Sequence, residues 1–232
     1  MFIEVITQNA QDSIQAEQLG VDRLELVSAM QEGGLTPSYG VLKNVLSSVS
    51  IPVQIMVRPH SYGFVYSEDD WKIIKEDISI IQELGGNRIV FGCITENGEI
   101  DEVLLTKVIE HGPELDITFH RAFDDVQSQE DSYKVLTKYK NHVKRILTSG
   151  GKPKATQATN ELKNLIKLSQ ELDGPIILPG SGVTPENIKM IHDKVGASEY
   201  HIGSGVRIDS DFSKALDPTK VNIVKNALAK KA

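Results

Sequence analysis

Short apolar runs, many of them β-branched, alternate with longer stretches of helical periodicity from one end of the chain to the other. The short runs fall at residues 2–6, 23–27, 53–58, 88–93, 116–120, 144–148, 175–179 and 199–203, and predict eight strands. Eight strand–helix units in 232 residues have 29 residues each, enough for a strand, a helix and two loops. The junctions between units repeat chemically. Gln18-Leu19-Gly20-Val21-Asp22-Arg23-Leu24-Glu25-Leu26 is echoed by Glu83-Leu84-Gly85-Gly86-Asn87-Arg88-Ile89-Val90-Phe91, and more loosely by Lys194-Val195-Gly196 before Glu199-Tyr200-His201. In each, a glycine able to take the left-handed conformation ends a helix just before a strand begins. Helix starts recur as well. Gly34-Leu35-Thr36-Pro37 and Gly182-Val183-Thr184-Pro185 both suggest a Thr N-cap with Pro at the first helical position. Ser67-Glu68-Asp69-Asp70 opens another helix with acids at its positive end.

Such a row of units closes into a barrel or opens into a doubly wound sheet. An open dinucleotide-binding sheet would carry GxGxxG after its first strand, and this chain does not. Even repeats favour closure, with the last strand pairing the first so that no edge is left bare. No Pro/Ser-rich linker or charge block divides the sequence. The expected fold is therefore α/β, a single (β/α)8 TIM barrel over residues 1–232.

Composition narrows the function classes. A formal charge of −7 argues against nucleic acid or an anionic membrane, both of which are held by clustered Lys and Arg. No run approaches the ~20 apolar residues that span a bilayer. The N-terminus reads as a strand rather than a signal segment. The lone Cys93 cannot form an intramolecular disulfide. A cytoplasmic protein is the simplest expectation, and a homo-oligomer is compatible with the sequence.

In (β/α)8 proteins chemistry is built at the C-terminal ends of the strands. The polar residues expected there are Glu25, Arg58, His120, Arg121, Asp124, Thr148, Ser149, His201 and Ser204. A carboxylate such as Glu25 inside a barrel must be paired or useful, and Arg58 or Arg121 are its natural partners. Asp124 has a plainer alternative as a cap for the next helix. Gly180-Ser181-Gly182 and Gly203-Ser204-Gly205, with Ser149-Gly150 after strand six, are small enough for backbone N–H groups to approach an anion, or they serve only as tight turns. Arg23 and Arg88 begin their strands and are assigned to stability at the opposite end. A Schiff-base mechanism has no suitable lysine, since Lys144 also begins its strand. Metal ligands cannot be read from spacing; Met56 and Cys93, on adjacent strands, are weak candidates.

Several blocks in order along the chain resemble the CutC family: Asp22-Arg23-Leu24-Glu25-Leu26, Glu32-Gly33-Gly34-Leu35-Thr36-Pro37, Val57-Arg58-Pro59, Thr118-Phe119-His120-Arg121-Ala122-Phe123-Asp124, Leu147-Thr148-Ser149-Gly150-Gly151, Pro179-Gly180-Ser181-Gly182-Val183 and Glu199-Tyr200-His201. The resemblance implies a cytoplasmic (β/α)8 protein of copper homeostasis, with copper(I) as its implied ion. Family members often place cysteine where this chain has Ile6 and Val27, and copper(I) prefers thiolate and thioether ligands, so direct copper binding is not expected. Ser181 replaces a usual glycine, and His60-Ser61-Tyr62 a usual Arg-Gly-Gly.

Two functions follow. One is control of the copper level, directly or indirectly. The other is an enzyme, a lyase or isomerase, on a small anionic metabolite, phosphorylated or not. There Glu25 or His120 would move protons, Arg58 and Arg121 would hold charge, and the loops after strands seven and eight would hold phosphate. A binding scaffold without chemistry is a third possibility.

Overall fold

The computed structural model describes residues 1–229. Eight parallel strands, β1 (Phe2–Thr7), β2 (Arg23–Leu26), β3 (Val53–Met56), β4 (Arg88–Phe91), β5 (Asp116–Phe119), β6 (Val143–Thr148), β7 (Ile176–Pro179) and β8 (Glu199–Ile202), form the predicted barrel. They alternate with α1 (Ala10–Gln18), α2 (Tyr39–Leu46), α3 (Glu68–Glu83), α4 (Glu102–His111), α5 (Gln129–Thr137), α6 (Thr159–Leu172), α7 (Ile188–Val195) and α8 (Pro218–Leu228). β1 pairs with both β2 and β8, as closure requires. The closure is incomplete, however. The hydrogen-bonded order runs β7-β6-β5-β4-β3-β2-β1-β8, so among the described residues β7 and β8 lie together without a shared ladder. The expectation that no edge is left unpaired is corrected at this one seam. No helix of the described residues is long and apolar enough to cross a membrane.

The alternation of side chains along each strand sorts the chain into two interiors. Val5, Leu24, Ile55, Ile89, Ile117, Ile146, Ile177 and Ile202 face outward into a continuous apolar core shared with the helices. Each helix contributes one stripe to it; α3 buries Ile74, Ile78 and Ile81 at helical spacing. At ~1.5–3 kcal/mol per buried aliphatic side chain, this layer is where most of the stability resides. The other phase points into the barrel and is largely polar. Arg23 pairs with Glu4 and Glu199, Arg145 and Arg88 pair with Asp116, and Gln54 on β3 donates across β4 to Asp116. Above this charged layer Ile6, Val27, Met56 and Val90 form a small apolar patch, with Met30 and Phe212 packed against it.

The glycines at the repeated junctions behave as read: Gly20, Gly85 and Gly196 have φ of 70°, 84° and 69°. Ser67 caps α3 in a reciprocal box with Asp70. Neither Thr-Pro start is a helix cap. Thr184 begins a turn before α7, whose cap position is Asn187; the Thr184 carbonyl accepts from Ile188 N and its N–H donates to Asn187 Oδ1. Thr36 is not a cap: Ser38 caps α2, and the Thr36 hydroxyl accepts from the backbone N–H of Arg58 at 2.9 Å. That bond fastens the β2–α2 loop over the end of β3.

Candidate functional site

Glu25 and His201 project from within β2 and β8, and two further site residues stand just past the ends of their strands. Arg58 follows β3, and His120 follows β5, so both stand on the barrel rim with backbone still positioned by the sheet. With Glu25, Arg121, Ser181, Gly182, His201, Gly203 and Ser204 they line a cavity of about 470 Å³ at the barrel mouth. This is an ordinary volume for a small-ligand site. Met30, Met56, Phe64, Leu147 and Phe212 supply its apolar wall.

His120 is held in one orientation. Its Nδ1 accepts from Ala122 N at 3.0 Å, and its ring packs 4.7 Å from that of Phe64. Because Nδ1 is an acceptor, the neutral ring carries its proton on Nε2, which is buried without a partner. Burial, helped by the charge of Arg58, lowers the His120 pKa to about 3, so the ring is a neutral N–H donor at pH 7. The ring fits because residue 92 is glycine: a Cβ there would lie 2.6 Å from His120 Nδ1. Gly92→Ala is expected to displace the ring and cost about 1–3 kcal/mol. Urea denaturation, with the imidazole resonances of His120 followed by NMR, measures both effects. Unchanged resonances would show that the ring is not wedged.

Arg58 does not pair with Glu25. Its Nη1 donates to the carbonyls of Glu32 and Gly34, its guanidinium lies 4.7 Å from the Phe64 ring centre, and its Nε has no partner. Arg121 does not reach Glu25 either; it bonds Asp124 at 2.8 Å and Ser149 Oγ at 3.0 Å. The partner of Glu25 is His201, whose Nε2 lies 3.7 Å from Glu25 Oε2, beyond hydrogen-bond range. His201 Nδ1 is bonded to Glu4 Oε1 at 2.8 Å, and Glu4 in turn is paired with Arg23. Arg23 therefore does more than brace the far end of the barrel.

Burial alone would raise the Glu4 pKa, but the Arg23 guanidinium and the His201 hydrogen bond hold it down at about 2. Burial pushes Glu25 up to about 7; the attraction of His201 is not enough to reverse it, and the charge of Glu4 adds to the rise. Burial disfavours charged His201, yet Glu25 and Glu4 outweigh it and its pKa is raised. Among the described residues, Glu4, Glu25 and His201 are the His/Cys/Asp/Glu group whose ligand atoms all lie within 4.8 Å of one another.

Other predicted residues are placed elsewhere. Asp124 is neither in the cavity nor a cap for α5, whose cap is Ser128. Its carboxylate instead accepts from Thr148 Oγ1, the N–H and Oγ of Ser149, the N–H of Gly151 and Gln129 Nε2. The N–H of Gly150 is taken by Thr148 Oγ1. Ser149 and Gly150 thus spend their donors inside the protein, and the strand-six loop is corrected from an anion cradle to an internal brace. Gly180 lies just below the cavity, its N–H on Thr148 O and its missing side chain making room for Leu147 and His201. Ser181 keeps the left-handed φ of 68° that suits the glycine it replaces, with its hydroxyl on Pro153 O.

Met56 and Cys93 do not converge. Met56 faces the barrel interior with Ile6, Val27 and Val90, while Cys93 belongs to the outer core and donates to Asp101 O at 3.4 Å. Burial, with Asp101 nearby, raises the thiol pKa well above its usual value. These residues do not fit a copper(I) site built on sulfur.

Glu4 shares the inward phase of Ile6 and is legible in the sequence as the one charge of its strand, although its role there is not. Phe212, which also lines the cavity, carries no local signal. Arg207, fully buried, holds the loop bearing Phe212 against β1 through Asp12, Ile6 O and Lys214 O.

The model of the CutC family matches residues 1–206. A human copper homeostasis protein cutC homolog is 36% identical over 248 aligned residues, covering 99% of this chain and 89% of the relative. An Enterobacter family protein CutC is 36% identical, covering 88% of this chain and 80% of that protein. The crystal structure of a CutC protein from Streptococcus agalactiae superposes with a TM-score of 0.80 at 29% identity, over 87% of this chain and 98% of that one. Phosphoribosyl anthranilate isomerase of Thermotoga maritima shares the fold at a TM-score of 0.64 and 15% identity, over 98% of each chain. Matched along nearly its whole length by the family's sequences and by its barrel, this chain belongs to the CutC family.

Proposed function

We propose that this protein takes part in controlling the cellular copper level, in the cytoplasm, and acts through a small anionic ligand at the barrel mouth rather than through copper held by sulfur. The copper role rests on relatives named for copper homeostasis. The route through an anion rests on one observation: Arg58 Nε and His120 Nε2 are buried at the cavity without partners, and Arg121 lines the same wall. Unpaired buried donors cost ~1–3 kcal/mol each unless a ligand or water satisfies them. An acceptor-rich anion is the complementary chemistry, and the loops at Ser181-Gly182 and Gly203-Ser204 bring backbone and the seam between β7 and β8 to its other side.

The test is complementation. In cells lacking the protein, the wild type is expected to restore copper content, while Arg58→Ala and His120→Ala, shown to be folded by circular dichroism, should not. Cys93→Ser should restore it fully. Full rescue by both mouth variants would remove the anion route, and failure of Cys93→Ser alone would return the role to sulfur.

A further inference from the structure

We infer that His201 and Glu25 form the two protein ligands of a divalent metal ion at the barrel mouth, with Glu4 orienting His201 from behind. The inference goes beyond the functional reading above and does not need copper.

Three strands set the geometry. Glu4 and His201 are direct partners in the β1–β8 ladder, and Glu25 comes from β2 on the other side of β1. Glu4 stays ionised because Arg23 is paired with it, so the 2.8 Å contact with His201 Nδ1 is an N–H donated to a carboxylate. That fixes the tautomer of the neutral ring, whose Nε2 lone pair then faces Glu25; a metal bound there would displace the proton that the charged ring carries at Nε2. A carboxylate behind a histidine whose second nitrogen is free is the usual setting of a metal-bound imidazole.

The spacing on the open side fits an ion better than a bond. Nε2 and Glu25 Oε2 are 3.7 Å apart, too far for a hydrogen bond. Two ligand atoms each ~2.1 Å from one ion stand about 3.4 Å apart at a tetrahedral angle, so closing by a few tenths of an ångström would complete the pair. Glu25 is also only 3% exposed, and its Oε1 has no hydrogen-bond partner. A buried carboxylate oxygen left bare is costly, and a cation removes that cost. An independent observation points into the same space: His120 Nε2–H, buried and unpartnered, lines the cavity that Glu25 and His201 line. It is a donor rather than a ligand, suited to a water or anion bound on the ion.

Two protein ligands leave the remaining coordination positions open to the cavity. One imidazole and a carboxylate suit zinc(II) or manganese(II) rather than copper(I). An ion here, with Arg58 and Arg121 nearby, would give an anionic ligand a second point of attachment.

Chelator-treated protein titrated with zinc chloride by calorimetry tests the site. The expected result is one ion per chain, with affinity reduced at least a hundredfold in Glu25→Gln and in His201→Asn. Glu4→Gln should weaken it about ten- to a hundredfold, because it loosens only the orientation of the ring. Cys93→Ser should bind as wild type. Circular dichroism establishes that each variant is folded, and if His201→Asn is not, Glu25→Gln decides. No stoichiometric zinc binding by the wild type up to 100 μM, or unchanged affinity in folded Glu25→Gln, would overturn the assignment. The complementation result above is read separately, so either conclusion can fail without the other.

Discussion

Arg23→Met is expected to destabilise the protein by about 3–5 kcal/mol, the range for removing one partner of a buried ion pair. Arg23 is 2% exposed and bonds Glu4 and, at 2.6 Å, Glu199, while its guanidinium lies 4.7 Å from the Phe2 ring. Methionine preserves most of the stem's packing, so the loss isolates the charge. It would leave Glu4, fully buried, with His201 as its remaining partner. For a chain of this size the change corresponds to a fall of roughly 6–20 °C in thermal midpoint. Urea denaturation near pH 7 measures it directly. The double variant Arg23→Met/Glu4→Gln should recover part of the loss, since the stranded charge is gone, and a double-mutant cycle gives the coupling. A loss below 1 kcal/mol, or no recovery, would mean that water reaches this layer and that the ion pair is not what supports the mouth.

The same residue shows how far the sequence could be read. Eight strands, their order around the barrel and the left-handed glycines at Gly20, Gly85 and Gly196 follow from periodicity and turn chemistry, which act over a few residues. So did the convergence of Glu25, Arg58, His120, Arg121 and His201, because strand ends in a closed barrel must share one face. Pairing was not legible in this way. That Glu25 meets His201 rather than an arginine depends on β2 and β8 flanking β1, and on Arg58 being drawn away to the carbonyls of Glu32 and Gly34. Likewise Ser149 and Gly150 read locally as an anion loop, but the Ser149 donors go to Asp124, some 25 residues earlier, and the Gly150 N–H goes to Thr148 Oγ1. Local sequence shows which donors exist; only tertiary contacts decide which are already spent.

Glu25 carries the second large effect, and its sign is opposite to that of Glu4. In the metal-free protein its pKa rises from 4.5 to about 7, with burial the largest cause. Below pH 4.5 the carboxyl is protonated whether the chain is folded or not and contributes no pH dependence. Between 4.5 and 7 the unfolded chain releases the proton and the folded chain keeps it, so stability falls as pH rises. Above 7 the folded state carries the full cost, on the order of 3 kcal/mol, lessened by whatever attraction His201 retains. Glu4, held near 2, behaves the other way: its contribution is present above pH 4.5 and is lost as pH falls toward 2. Glu25→Gln removes one titration, leaves that of Glu4, and takes away the largest influence that raises His201. Chelator-treated Glu25→Gln should therefore match wild type near pH 4 and exceed it at pH 8 by up to about 3 kcal/mol. Parallel stability curves for the two proteins from pH 4 to 8 would show that Glu25 is solvated in solution. Curves that meet near pH 4 and separate toward pH 8 would instead identify a carboxylate kept at a cost to the fold, which is the signature of a group retained for what it binds.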